Sequence, residues 1–305
     1  MRILVTGAGG FVGRALVRAL GDAHDVVALD RSCAGVHAAQ VIEGDLADRD
    51  VVDRAVGSGR DGVIHLATVP GGAAEQDPEL GWLVNVEGSR LLLAALEKSG
   101  TRPRFVFASS IAVLGAMPDT CIDDGTPLRP VMLYGAHKAM MEQWIATMSR
   151  RGAIDGLSLR LSGIVARPPG PSGMKSAFMS DVFHAAAAGR SFVSPVSPEA
   201  TMWMMSLGRV IRNFRRALEN VEMHEPYALT LPAVRMSMGE LVAELARQTG
   251  GDLGFVSYDP DPALEAGFGR FPVLHADRAR EMGFSDDGSL TELVGAALDR
   301  IRKEG

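Results

Sequence analysis

The chain opens with Arg2-Ile3-Leu4-Val5-Thr6, an apolar β-branched run. Gly7-Ala8-Gly9-Gly10-Phe11-Val12-Gly13 follows at once, and then an amphipathic stretch reaching Leu20. No other part of the sequence restricts the fold as strongly. A buried strand, a glycine turn and a helix accommodate it. Gly7, Gly10 and Gly13 each answer a steric demand: a tight turn out of the strand, backbone approach to a ligand, and close packing of helix on sheet. Phe11 and Val12 fall in the first helical turn, where unpaired amides and the helix dipole both stabilise an anion. The pattern points to the pyrophosphate of a dinucleotide.

The next strand-like run, Asp25-Val26-Val27-Ala28-Leu29, ends in Asp30, 17 residues after Gly13. A carboxylate at that distance and at the carboxyl end of a second strand accepts hydrogen bonds from the adenine ribose. It also repels a 2′-phosphate, which points to NAD. Arg31 pulls the other way, because a guanidinium can grip a phosphate in bidentate fashion.

Strand and helix signals then alternate. Gln40 to Asp45 reads as a third strand and Asp48 to Val56 as a helix. Gly62 to Ala67 reads as a fourth strand, Leu80 to Lys98 as a helix and Arg104 to Ala108 as a fifth strand. Such βαβ alternation implies an α/β fold, a doubly wound parallel sheet of Rossmann type, with ligands at the carboxyl ends of its strands. A chain of 305 residues is long enough for a second, smaller lobe. Residues 1–164 are expected to form the dinucleotide domain. Residues 165–305 should form mainly a C-terminal substrate lobe, with about 200–232 returning to the first domain. The Arg167-Pro168-Pro169-Gly170-Pro171-Ser172-Gly173 connector marks the boundary.

At the end of the fifth strand stand Ser109 and Ser110, and 24 residues after Ser110 comes Tyr134 in Tyr134-Gly135-Ala136-His137-Lys138. Leu133 to Arg150 reads as one helix, so Tyr134 and Lys138 share a face one turn apart. A tyrosine is a poor base at neutral pH unless a neighbouring cation favours its phenolate. Lowering its pKa by roughly 3 units corresponds to about 4 kcal/mol. Ser110 can hold a substrate hydroxyl toward Tyr134.

With these motifs, the chain resembles the extended short-chain dehydrogenases/reductases, the NAD-dependent epimerase/dehydratase family, over essentially its whole length. The resemblance implies that Gly7, Gly10 and Gly13 form the cofactor loop, Asp30 the ribose acid, and Asp45-Leu46 the adenine-side pair. It places Leu66-Ala67 beneath the cofactor, makes Asn85 the helix asparagine of the VNxxG segment, and makes Ser110, Tyr134 and Lys138 the catalytic trio. Lys138 is then expected to reach the nicotinamide ribose. His65-Leu66-Ala67, Leu80 to Asn85, Pro103 to Phe107 and Met202 to Ser206 look most like the branch that oxidises the hydroxyl beside the carboxylate of a four-carbon sugar acid. The chain departs from that branch at Ser162-Gly163, at His184-Ala185-Ala186 and at Leu207-Gly208; if an arginine at either of the last two places grips the substrate, a different substrate is expected here, and Arg209 could substitute only with a one-residue shift of the backbone. A nucleotide-sugar epimerase would use the same trio but needs a site for a diphosphate, and the family's Arg-Asp-Phe-type segment is absent from Ala200 to Val210. A dinucleotide-sensing module would need neither Tyr134 nor Lys138.

Composition narrows the partners. Net charge is −6 without a basic cluster, which argues against nucleic acid. The cysteines, Cys33 and Cys121, and the histidines His65 and His137 show no metal-ligand spacing. No apolar run approaches membrane-spanning length, and the first residues already read as a core strand, so a cytoplasmic enzyme is expected. Leu91, Leu92, Leu93, Met140, Met141 and Trp144 give two helices more apolar surface than one sheet can cover. The family resemblance implies a homodimer through that helix pair. Met202, Met204 and Met205 around Trp203 read as core packing. Arg212, Arg215 and Arg216 read as a solvated helix face.

Overall fold

A computed structural model of the chain describes residues 1–118, 120–170, 174–219, 225 and 227–304. Pro171, Ser172 and Gly173 of the expected connector lie outside the described residues, as do 220–224 and 226 in the stretch expected to return to the first domain. Two compact units divide the chain. The first comprises 1–115, 128–161 and 211–230, the second 116–127, 162–210 and 231–305.

The first unit is built on β1 (Arg2–Thr6), α1 (Phe11–Gly21), β2 (Asp25–Asp30), β3 (Gln40–Glu43), α2 (Arg49–Val56) and β4 (Gly62–His65). After β4 come α3 (Gly71–Gln76), α4 (Pro78–Trp82), a π-helical turn (Leu83–Gly88), α5 (Ser89–Ser99) and β5 (Arg104–Ser110). A short pair, β6 (Cys121–Ile122), belongs to the second unit. Then α6 (Leu133–Arg150) and β7 (Asp155–Leu161) return to the first. The strands form one seven-stranded sheet in the order Ala228–Thr230, β7, β5, β4, β1, β2, β3. Every pairing in it is parallel. Strand order reverses between β1 and β4, the switch point outside which ligands of such sheets bind.

Both faces of a parallel sheet must be covered, and its strands are correspondingly apolar. Ile3, Leu4, Val5, Val63, Ile64, Phe105 and Val106 are wholly buried. The stretch expected as one helix from Leu80 to Lys98 is instead broken by the π-turn. The π-turn's extra residue shifts the helix face and brings Asn85 inside, at 3% exposure. In the second unit, Gly163–Val165, Thr201–Ser206 and Val234–Ser237 form a mixed three-stranded sheet, packed on a core that includes Phe183, Val182, Leu241 and Leu293. Met202, Trp203, Met204 and Met205 are fully buried there, and the Trp203 ring N–H donates to the Pro272 carbonyl at 2.8 Å. Ser237 and Glu240 make the reciprocal capping box that their spacing predicts. One helix of this part of the chain begins at Phe178 and the next at Leu207. Asp287 accepts from the Ser206 amide and hydroxyl at 2.9 and 2.5 Å, which fixes the chain where the helix starts at Leu207.

Candidate active site

The glycine loop follows β1 with little steric slack. Gly7 takes φ +70°, and an added Cβ there would lie 2.6 Å from the Ala67 nitrogen. A Cβ on Gly13 would lie 2.1 Å from the Gly7 carbonyl oxygen, so this glycine lets α1 sit against the strand end. Gly10 is the N-cap of α1 and caps it with no side chain; its Cβ would meet only the Gly7 oxygen, at 3.3 Å, and the space above the loop stays open. Gly9, which the spacing of glycines did not single out, is the residue pressed against the β2 loop, where a Cβ would fall 2.0 Å from the Ser32 oxygen.

Asp30 ends β2 and faces this loop. Its Oδ2 accepts from the Gly9 amide at 2.9 Å and its Oδ1 from the Ser32 amide at 3.4 Å. A carboxylate has about four acceptor positions, so capacity remains for two ribose hydroxyls. Arg14, also missed in the sequence, donates to the carbonyls of Gly9 and Ala34, tying the loop to the segment after β2. Its guanidinium is thereby committed to the chain, whereas Arg31 is exposed. Asp45 accepts from the Ala47 amide at 2.9 Å and turns the chain after β3, and Leu46 beside it is buried against Gly88. A bare helix N-terminus, a loop that excludes Cβ atoms and a carboxylate at the end of β2 fit the pyrophosphate and adenosine ribose of a dinucleotide.

Leu66 and Ala67 continue β4, and a buried polar chain anchors them. The Ala67 amide donates to the Thr6 hydroxyl at 3.4 Å, which bonds His65 Nδ1 at 2.6 Å; His65 Nε2 meets the Ser89 hydroxyl at 2.8 Å, and Ser89 donates to the Asn85 carbonyl at 2.8 Å. Burial, reinforced by the Lys138 charge, pushes the His65 pKa down to about 3, so the ring is neutral with Nε2 as donor. The Asn85 side chain secures the following loop. Its Oδ1 accepts from the Thr68 hydroxyl at 2.9 Å and the Val69 amide at 2.7 Å, and its Nδ2 donates to the Val69 carbonyl at 3.0 Å. His137 packs edge-on against Trp82 at 5.9 Å.

Ser110 terminates β5, its hydroxyl oxygen accepting from the Ala112 amide at 3.1 Å. Tyr134 lies in the first turn of α6, where Glu75 caps the helix by accepting from the Leu133 amide at 2.6 Å. Lys138, one turn on and 2% exposed, donates to the Ala108 carbonyl at 2.7 Å. Its Nζ sits 4.5 Å from the centroid of Phe107 and 5.5 Å from that of Tyr134. An ammonium has three donors, so two remain for other partners. Burial lowers the Lys138 pKa to about 7, with Glu142 opposing the fall. The sheet thus brings Ser110, Tyr134 and Lys138 to the carboxyl end of β5.

A model of the NAD dependent epimerase/dehydratase family matches residues 3–224. The chain belongs to that family. D-erythronate dehydrogenase of Cupriavidus necator is 31% identical to it over 98% of each chain, and that of Haemophilus influenzae 29% over 96% of this chain and 98% of its own. The solved nucleoside-diphosphate-sugar epimerase of Agrobacterium tumefaciens superposes with a TM-score of 0.90 at 27% identity, covering 100% of this chain and 95% of its own. The protein is an NAD-dependent dehydrogenase of the extended short-chain type. Among the described residues, no cluster of three His, Cys, Asp or Glu could hold a metal ion, and no helix is long and apolar enough to cross a membrane.

Proposed function

We propose that this enzyme oxidises the hydroxyl next to the carboxylate of a small sugar acid of D-erythronate type. The observation that carries the reading is the buried Lys138 ammonium beside Tyr134 at the end of β5, in a chain that aligns from end to end with two D-erythronate dehydrogenases. NAD, when bound, supplies the hydride acceptor. Gly7, Gly10, Gly13 and the first turn of α1, with Phe11 and Val12, receive its pyrophosphate. Asp30 would hold the adenosine ribose, Asp45 and Leu46 the adenine side, and Leu66 and Ala67, the latter held by Thr6, would lie beneath the cofactor. Asn85 shapes the 66–69 loop through Val69.

Tyr134 takes the proton of the substrate hydroxyl at its phenolic oxygen as the carbon–hydrogen bond breaks. Lys138 favours the phenolate electrostatically, and Ser110 hydrogen-bonds the substrate oxygen and aims it at Tyr134. Substrate selectivity is assigned to the second half of the chain. There Arg209 is held by the Ser285 hydroxyl at 2.6 Å, which makes it a defined rather than mobile cation. The reading includes a homodimer formed through the pair α5 and α6; of the apolar residues there, Met140 and Trp144 on α6 are exposed while Met141 on α6 and Leu92 and Leu93 on α5 turn into the unit's own core. It also includes a cytoplasmic location, which the free thiols of Cys33 and Cys121 support.

The structural likeness to a nucleotide-sugar epimerase supports a second reading, in which the same trio turns over a sugar nucleotide without net release of reduced cofactor. Both readings require the phenol. Tyr134→Phe is expected to lower kcat about 10²–10⁴-fold while leaving the dissociation constant for NAD nearly unchanged, as general base catalysis is worth that factor. A Phe variant retaining more than half the wild-type rate would remove Tyr134 from the mechanism.

A further inference from the structure

Beyond the trio, α6 carries one more buried charged group that the reaction has not used. Glu142 lies four residues after Lys138, on the same face one turn along, and is 1% exposed. Arg160 on β7 grips it in bidentate fashion, its Nε donating at 3.0 and 3.2 Å and its Nη2 at 2.8 Å. The Ser109 hydroxyl donates to the same carboxylate at 2.5 Å. Ser109 and Arg160 are directly opposed partners of neighbouring strands, so the carboxylate closes over the end of β5 and β7 together. Two successive residues of β5 are therefore held from α6: Ala108 through its carbonyl by Lys138, and Ser109 through its hydroxyl by Glu142.

We propose that Glu142 is a positioning residue of the reaction: clamped by Arg160 and Ser109, it is the buried counter-charge that keeps the Lys138 ammonium charged at the end of β5. The proposal rests on the reading of Lys138 as partner of Tyr134. The remaining ionisable groups nearby do not supply that charge. Tyr134 and His137 share α6 with Lys138, and His65 on β4 is held neutral by burial. Arg160 on β7 is itself positive, and Asp155 on that strand is paired with Arg104. Glu75 on α3 caps α6 and acts on His137, Glu79 on α4 lies in an exposed first turn, and Glu87 of the π-turn is paired with Arg90. Burial alone drives Lys138 toward its neutral form, and Glu142 is the group that opposes it.

The test is the titration of Lys138 itself. The chain has four lysines, at 98, 138, 175 and 303, so a whole-chain sample labelled with carbon-13 at the lysine ε position gives a spectrum simple enough to assign with Lys138→Arg. In Glu142→Gln the Lys138 titration should fall by about 1–3 pH units, the range expected for loss of a close opposite charge. In Arg160→Gln, which removes the competing cation and leaves the carboxylate, it should rise. A purely structural role predicts lower thermal stability in both variants with no opposed shift. The alkaline limb of the kcat profile should follow the titration, moving to lower pH in Glu142→Gln. A Lys138 titration that stays put in Glu142→Gln, or moves in the same direction in both variants, overturns the proposal. If Glu142→Gln does not fold, the sign of the shift in Arg160→Gln decides alone. A titration that moves while the rate profile does not upholds the counter-charge and refutes the pairing of Lys138 with Tyr134.

Discussion

Replacing Asp30 separates two things that its carboxylate does. One oxygen holds the Gly9 amide at 2.9 Å and so fixes the loop; on the proposed reading, the acceptor positions that remain would take the adenosine ribose. A hydrogen bond to a charged group is worth about 1.5–3 kcal/mol, which is about 10- to 100-fold in kcat/KM. The same charge disfavours a 2′-phosphate. Arg14, the other cation near this loop, is bound to the Gly9 and Ala34 carbonyls and is not available to offset it. Wild-type enzyme should therefore prefer NAD over its phosphorylated relative by about 10- to 100-fold, with residual use of the latter through Arg31. Asp30→Asn keeps an acceptor for Gly9 but removes the charge, so the preference should narrow to near unity or invert while the fold is retained. Asp30→Ala loses the loop contact as well and should weaken both cofactors. The assay is kcat/KM with each cofactor at saturating sugar acid, supported by calorimetric dissociation constants. Equal or better wild-type turnover with the phosphorylated cofactor, or an unchanged ratio in Asp30→Asn, would show that Arg31 governs the pocket.

Two further outcomes are expected. Light scattering at micromolar concentration should give twice the chain mass of 32.3 kDa, and Met140→Glu with Trp144→Glu should give the monomer; a monomeric wild type would rule the dimer out. His65 has a folded pKa of about 3 against an unfolded value of about 6.5, so below pH 6.5 only the unfolded chain takes up its proton. Stability contributed by the neutral ring is complete above that value and is lost as pH falls toward 3, at up to about 1.36 kcal/mol per unit. Urea unfolding of wild type and His65→Gln at pH 6.5 and 4.5 should differ by that slope, and equal slopes would mean the ring is not held neutral.

Much of the first unit was legible because local chemistry and global fold agree in it. The glycine loop, the acid ending β2 and the run of strand, helix and strand are all short-range patterns, and α6 has the limits its periodicity predicts. His65 lies in an apolar strand with no metal-ligand spacing around it, and both of its nitrogens are hydrogen-bonded within the fold. The π-turn was hidden because it shares residue types with an α-helix and differs only in one extra residue per turn. Gly9 was missed because its constraint comes from Ser32, across the sheet. Ser109, Glu142 and Arg160 are far apart in sequence and converge only through the pairing of β5 with β7. The one local hint was the four-residue spacing from Lys138 to Glu142. In the second unit, strands of three and four residues such as Gly163–Val165 and Val234–Ser237 are too short to show alternation.

The central claim is net oxidation of a sugar acid, and it is tested most directly by incubating the pure enzyme and NAD with four- to six-carbon aldonates and with sugar nucleotides while following reduced nicotinamide. The account predicts stoichiometric reduced cofactor with an aldonate of D-erythronate type and none with Tyr134→Phe. Turnover of a sugar nucleotide to its epimer without net reduced cofactor, alongside inactivity toward every aldonate, would contradict it.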